Sequence, residues 1–213
     1  MTQVLETPFG NGLVVAWDER VLEPRPWTAM QSRWAAELLG DALDVGRDDL
    51  PVLELCSGAG HIGLLAVQLT GRRLVAVDVS EPACVFMRNN SRRAGLADLV
   101  EVRQAPMDDA LADGERFALV LADPPWVTSD TVGRFPDDPL LAIDGGDDGL
   151  AVARLCVEVA GRHVVPGGSL LLQLGDAAQA EALSAEAGDR WRPEGHRCGE
   201  GGVVLRLVRS EQP

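Results

Sequence analysis

Pro51-Val52-Leu53-Glu54-Leu55-Cys56-Ser57-Gly58-Ala59-Gly60-His61-Ile62-Gly63-Leu64-Leu65-Ala66-Val67-Gln68-Leu69 reads as a short apolar strand, a glycine turn and an apolar helix that Gly71 can terminate. The alternation then repeats. Leu74 to Val79 is a second buried strand, and Ser80 with Pro82 signals a helix running through Met87 and Arg93 to a stop at Gly95. Leu99 to Arg103 and Phe117 to Ala122 supply strands three and four. Helix Leu150 to Ala160, the turn Pro166-Gly167-Gly168, strand Ser169 to Leu174, helix Ala177 to Ala187 and a hairpin ending in Val203 to Val208 follow. Short apolar strands alternating with helices imply a parallel sheet covered on both faces, so the expected class is α/β, doubly wound.

With 213 residues, 46% of them hydrophobic, the chain is expected to form one domain, 1–213, with 1–48 as a leading segment and helix. The formal net charge of −14 repels polyanions, which makes nucleic acid an unlikely partner and favours neutral, cationic or protein ones. Cys56, Cys84, Cys156 and Cys198 form no C-x-x-C pair, so neither a zinc site nor a disulfide framework is indicated. No basic leader and no run of about 18 apolar residues stands out, so a cytoplasmic protein without a membrane span is expected.

In a doubly wound sheet, ligands bind beyond the carboxyl ends of the strands where strand order reverses. The turn Cys56-Ser57-Gly58-Ala59-Gly60 is expected there, with Asp78 at the end of strand two as an acceptor for two ribose hydroxyls. Gly58 to Gly63 also matches G-x-G-x-x-G, so a dinucleotide has to be weighed. Glu54 decides against it: an acid at the end of strand one suits an ammonium group and repels a pyrophosphate. S-adenosyl-L-methionine is therefore the expected cofactor. The fourth strand ends in Asp123-Pro124-Pro125-Trp126, a rigid polar notch beside a flat apolar ring that suits a planar amino or amide group. The loop of about twenty residues that follows, up to Asp144-Gly145-Gly146-Asp147-Asp148-Gly149, is expected to border the substrate site.

These motifs, in this order, resemble the release-factor glutamine methyltransferases. Val21-Leu22-Glu23-Pro24-Arg25-Pro26-Trp27-Thr28 is similar to that family's leading loop, Val52 to Gly60 to its cofactor turn, and Asp123 to Trp126 to its Asn-Pro-Pro-Tyr motif. Leu140 to Leu150 and Leu172-Gln173-Leu174-Gly175 resemble its later signatures. The resemblance implies a Rossmann-like methyltransferase fold, a mostly parallel seven-stranded sheet with an antiparallel C-terminal strand. It also implies that Thr28, Glu54, Cys56 to Gly60, Asp78, Met107 and Asp123 surround the cofactor, while Asp123 and Pro124, with Pro125 and Trp126, hold the nitrogen to be methylated. Two departures stand out. Pro106 occupies the place of an adenine-contacting Asp, for which Asp108 or Asp109 could substitute, and Asp123 replaces Asn, a form that also resembles amino-methyltransferases of nucleobases. Only about twenty residues precede the leading loop, where bacterial members carry a helical docking domain; a short branch of the family works with a small partner subunit, so such a subunit is an open expectation.

The chemistry expected is N-methylation of a protein side chain or small molecule, with a nucleobase amino group as the alternative acceptor and an inactive cofactor-binding subunit as a third. If Asp123 and the Pro124 carbonyl each accept an N–H bond, the nitrogen lone pair is oriented, and catalysis is mainly positioning and electrostatics. An ionised carboxylate cannot donate, so Asp123 suits an amino group better than an amide. His61, His163 and His196 suggest no triad or metal set, and the acids at 137–138 and 147–148 read as solvated loop rather than as metal ligands.

Overall fold

The computed structural model describes residues 2–40 and 49–211. An N-terminal hairpin of β1 (Leu5–Gly10) and β2 (Leu13–Trp17) leads through a 3₁₀ turn at Pro26–Thr28 into helix α1 (Ala29–Gly40). The main sheet uses β3 (Val52–Leu55), β4 (Leu74–Asp78), β5 (Val100–Gln104), β6 (Phe117–Ala122), β7 (Val164–Leu174), β8 (Trp191–Gly199) and β9 (Gly202–Arg209). Between them run α2 (His61–Thr70), α3 (Glu81–Arg93), α4 (Leu140–Ile143), α5 (Ala151–His163) and α6 (Ala177–Glu186). Part of the leading segment 1–48, residues 41–48 and Met1, lies outside the described residues.

The seven strands are ordered β5-β4-β3-β6-β7-β9-β8. β3 pairs in parallel with β4 on one side and β6 on the other, and β9 alone runs against its neighbours β7 and β8. Strand order therefore reverses between β3 and β6, which leaves a crevice beyond their carboxyl ends. This is the doubly wound sheet with an antiparallel C-terminal strand that the sequence implied. Every residue of β3 and β6 is buried, which explains the unbroken apolar character of β6 and leaves Glu54 as the one charged side chain within β3.

Two hydrophobic layers flank the sheet. Phe9, Leu13, Trp34, Leu65 and Met87 join the hairpin, α1, α2 and α3 to one face. On the other, Phe117, Val159, Leu170, Leu183 and Trp191 join α5 and α6 to the sheet. Between β5 and β6 an irregular loop takes the place of a helix, and its Met107, Ala110 and Leu111 pack on the second layer. The Pro166-Gly167-Gly168 turn is a register break inside β7: Phe117 pairs with Val164, but Leu119 already pairs with Ser169. Among the described residues no helix is long and apolar enough to cross a membrane.

The N-terminal hairpin, which periodicity did not reveal, is tied down by one side chain. Asn90 on α3 is fully buried; its Oδ1 accepts the Ala16 N–H at 2.9 Å, and its Nδ2 donates to the carbonyls of Ala16 and Ala59, both at 2.9 Å. It thus fastens the hairpin to the glycine turn. Gln31 on α1 similarly donates to the carbonyls of Ala122 and Leu171, each at 2.9 Å, and so anchors the helix over the ends of β6 and β7. Asn90→Ala would strand an N–H and two carbonyls in the interior, at a cost of about 3 kcal/mol. A lower urea midpoint at unchanged slope is expected, and an unchanged midpoint would show that the hairpin does not depend on this bracket.

Candidate active site

The crevice opens into a cavity of about 210 Å³, lined by Cys56, Gly58 and Ala59 of the glycine turn, by Asp78 and by Met107. The turn is built for close approach. Cys56 adopts a left-handed backbone (φ 57°), as do Gly58 and Gly60 (φ 53° and 91°). A Cβ at Gly60 would run into Met87 Sδ, whereas one at Gly58 would meet nothing. Gly60 is thus required by packing behind the turn, and Gly58 leaves the cavity face open. The Ser57 N–H donates to the Val77 carbonyl at 3.1 Å and its carbonyl accepts the Gly60 N–H at 2.9 Å, holding the turn against β4.

Three acids converge here. Asp78 accepts the Gly58 N–H through Oδ2 and the Ser80 N–H through Oδ1, both at 2.8 Å; burial raises its pKa, against these hydrogen bonds. Glu54 is buried beneath α2, where Oε1 accepts the Gly63 N–H at 2.8 Å while Oε2 has no partner. Desolvation pushes Glu54 up to about 8, opposed by the Gly63 bond and reinforced by Asp78 and Asp123. Burial likewise moves Asp123 up to about 7. Among the described residues no protein donor reaches the Asp123 carboxylate or the Pro124 carbonyl.

Asp123, with Leu22 and Ala142, borders both the first cavity and a second of about 380 Å³, which Thr28, Pro124, Trp126, Phe135 and Gln173 help to line. Pro124 and Pro125, which carry no N–H, end β6 and turn the chain between the two spaces. Trp126 lies against Gly175, where a Cβ would meet its ring, and its carbonyl accepts from Gln179 Nε2 at 2.9 Å. The loop that follows borders both spaces, as its length suggested: Pro139 and Leu141 line the first, Phe135 and Asp138 the second. Arg25 crosses to it and donates to both Asp138 oxygens, at 3.0 and 3.1 Å, so the leading loop and the long loop form one roof.

Several expected residues fall elsewhere. Thr28 lines the second cavity, its hydroxyl spent on the Arg25 carbonyl at 2.7 Å. Glu54 and Ser57 lie behind the wall of the first. Met107 lines that wall, whereas Asp108 and Asp109 are exposed and are not part of it. Asp138 and Asp148 are ion-paired to Arg25 and Arg154 rather than merely solvated. His61 packs edge-on against Phe9 with ring centroids 4.8 Å apart, and burial lowers its pKa to about 4. Arg20, which lines the first cavity, carried no local signal, and Gln173, part of the Leu172 to Gly175 signature, had no role assigned from sequence and lines the second.

A family model described as "conserved hypothetical protein 95" matches residues 37–136. The chain is 34% identical over 182 residues to a release factor glutamine methyltransferase of Deinococcus radiodurans, covering 83% of this chain and 62% of that protein. It is 28% identical over 183 residues to a ribosomal protein uL3 glutamine methyltransferase of Francisella tularensis, covering 83% of this chain and 57% of that one. The chain thus spans about three-fifths of the length of these relatives. A crystal structure of an RNA methyltransferase from Salinibacter ruber in complex with S-adenosyl-L-homocysteine superposes with a TM-score of 0.58 at 20% identity, covering 91% of this chain and 96% of that one. The fold is that of the class I methyltransferases. In sequence, the chain is similar to the release-factor and uL3 glutamine methyltransferases.

The buried acid beneath α2 has a measurable signature. Between the ordinary carboxylate value of 4.5 and about 8, folded Glu54 holds a proton that the unfolded chain has released. Its contribution to stability is therefore full at low pH and is lost as pH rises through about 8. Glu54→Gln keeps an acceptor for Gly63 and should lose less stability between about pH 6 and pH 9 than the native chain. Thermal unfolding over that range checks this, and parallel curves would show that Glu54 is already ionised in the fold.

Proposed function

We propose that this chain, taken as one catalytic unit, is an S-adenosyl-L-methionine-dependent N-methyltransferase. Its acceptor is an amide or amino nitrogen of a protein side chain or small molecule. The observation that carries the reading is the unpartnered Asp123 carboxyl bordering two cavities, one lined also by the glycine turn and Asp78, the other by Pro124 and Trp126. The kinship with glutamine methyltransferases supports it.

The cofactor fits the groups present. Around the first cavity stand acceptors rather than donors: Asp78 keeps lone pairs beyond its two backbone bonds, and the Asp123 carboxyl has no protein donor among the described residues. That set matches a ligand bringing hydroxyl and ammonium hydrogens and opposes a pyrophosphate. Cys56, Gly58, Ala59, Asp78, Met107 and Asp123 would hold it, with Val77, Val79 and Ala83 giving an apolar bed and Glu54, Ser57 and Gly60 supporting the turn from behind. When bound, S-adenosyl-L-methionine supplies an electrophilic methyl group.

The chain's own residues do the rest. An amide or arylamine nitrogen is a poor nucleophile because its lone pair is delocalised. Asp123 and the Pro124 carbonyl accept its two N–H groups and fix the direction of that lone pair. Trp126 packs against the planar group and excludes water. With a pKa near neutrality, Asp123 is also suited to take the proton that the nitrogen sheds. A nucleobase amino group offers the same pair of hydrogens, but the net charge of −14 opposes the phosphates around it. A small partner subunit completes the reading if turnover needs more than this chain.

Calorimetry should show S-adenosyl-L-methionine binding, about ten-fold weaker in Asp78→Ala, and no binding of NAD. Unchanged affinity in the variant, or preference for NAD, rejects the cofactor assignment. Cell extract separated into protein, nucleic-acid and metabolite fractions and incubated with labelled methyl donor identifies the acceptor, with and without added subunit; label confined to nucleic acid would reverse the choice of acceptor. With that acceptor in hand, Asp123→Ala should lose most turnover while keeping cofactor affinity. Native turnover should fall as pH drops through about 7, because the carboxylate that accepts the N–H is protonated there. Asp123→Asn should flatten this limb of the pH profile, and an unaltered limb would place the titrating group elsewhere.

A further inference from the structure

The acceptor cavity has an exposed sill. Phe135, Leu140 and Leu141 are 39%, 61% and 65% exposed, and the last two lie on α4, a helix that borders the first cavity through Leu141 and the second through Ile143. Phe135 lines the second cavity and Leu141 the first, so the exposed apolar side chains adjoin both spaces. Large apolar side chains held in water at a site mouth mark a contact surface.

The charges around the sill are one-sided. Residues 127–149 contain Asp130, Asp137, Asp138, Asp144, Asp147 and Asp148 against Arg134 as their one base. Asp138 is paired with Arg25, Asp148 with Arg154, and Asp130 and Asp144 accept hydrogen bonds from Thr128 and Ser129. Asp137 and Asp147 are exposed and have no partner among the described residues. Of the neighbouring bases, Arg20 is bound to Asp18 and Arg25 to Glu23 and Asp138, and exposed Arg134 offsets only one of the two free carboxylates. An apolar ledge with free carboxylates beside it complements a segment that alternates apolar and basic side chains, and it repels a phosphate backbone.

We propose that this sill docks the flanks of a protein acceptor, a segment in which the residue to be methylated is bracketed by apolar and basic side chains. This rests on the methyltransferase reading and adds to it what lies on either side of the reacting nitrogen. Leu140 and Leu141 cover the apolar side chains of the segment, and Asp137 and Asp147 meet its lysines or arginines. The central side chain then points toward Asp123 and Trp126.

Fluorescence anisotropy tests it with a labelled heptapeptide that has a central glutamine flanked on each side by Lys-Leu-Lys, and with the same peptide carrying glutamate for lysine. The basic peptide should bind about ten-fold more tightly than the acidic one. Leu140→Ser should weaken it about five-fold, and Asp137→Lys combined with Asp147→Lys should abolish the discrimination. Circular dichroism on each variant verifies the fold. No binding of the basic peptide, equal binding of the two peptides, affinities unmoved by both sets of substitutions, or tighter binding of a single-stranded RNA decamer would each overturn the proposal. Calorimetry with S-adenosyl-L-methionine on the same samples separates the two ideas: cofactor binding without peptide discrimination defeats the sill alone, and peptide discrimination without cofactor binding defeats the methyltransferase reading alone.

Discussion

Parallel pairing of β3 with both β4 and β6 is the constraint on which the site depends. A parallel pair needs a crossover, so α2 and α3 cover one face, while the chain returning to β6 starts a second winding toward the other. At the line between them no connection can cover the strand ends. The glycine turn after β3, Asp78 after β4 and Asp123 after β6 consequently face one another, although the outermost of these positions are more than sixty residues apart in sequence.

Bringing carboxyl groups together in a partly buried place has an electrostatic cost, and the protein meets it by keeping protons on them. Desolvation raises both Glu54 and Asp123 toward neutrality, and at Glu54 the nearby Asp78 and Asp123 add to the shift. Asp78 is restrained from the same fate by the two backbone N–H groups that it accepts. The result is three acids in three electrostatic settings within one crevice: a helix-capping carboxyl under α2, a hydrogen-bonded carboxylate at the cavity edge, and a carboxyl without a protein donor bordering two cavities. Groups tuned apart in this way are suited to different tasks.

The N-terminal region contributes support rather than chemistry of its own. Asn90 and Gln31 each satisfy backbone groups of distant segments, and Arg25 closes the roof by pairing with Asp138. None of these contacts is local. Replacing a helix by the loop between β5 and β6 has a comparable effect, since it lets Met107 reach the cavity wall from the side on which a regular helix would pack.

Strand and helix order, the glycine turn and the Asp-Pro-Pro-Trp corner were legible in the sequence, because buried parallel strands must be apolar throughout and because glycine and proline carry their backbone preferences wherever they stand. The hairpin β1–β2 was not, since its exposed residues break the alternation and its anchor, Asn90, lies 74 residues away from Ala16. Nor could spacing reveal that Thr28 would face the second cavity, that Glu54 would spend one oxygen on Gly63, or that Asp108 and Asp109 would be exposed and no part of the first cavity's wall. The sequence by itself determined the fold and the kinds of side chain delivered to the strand ends. Only tertiary structure decided which of them are desolvated, which already have partners and which remain unpartnered beside a cavity, because burial and hydrogen bonding are properties of neighbours that the chain does not carry next to one another.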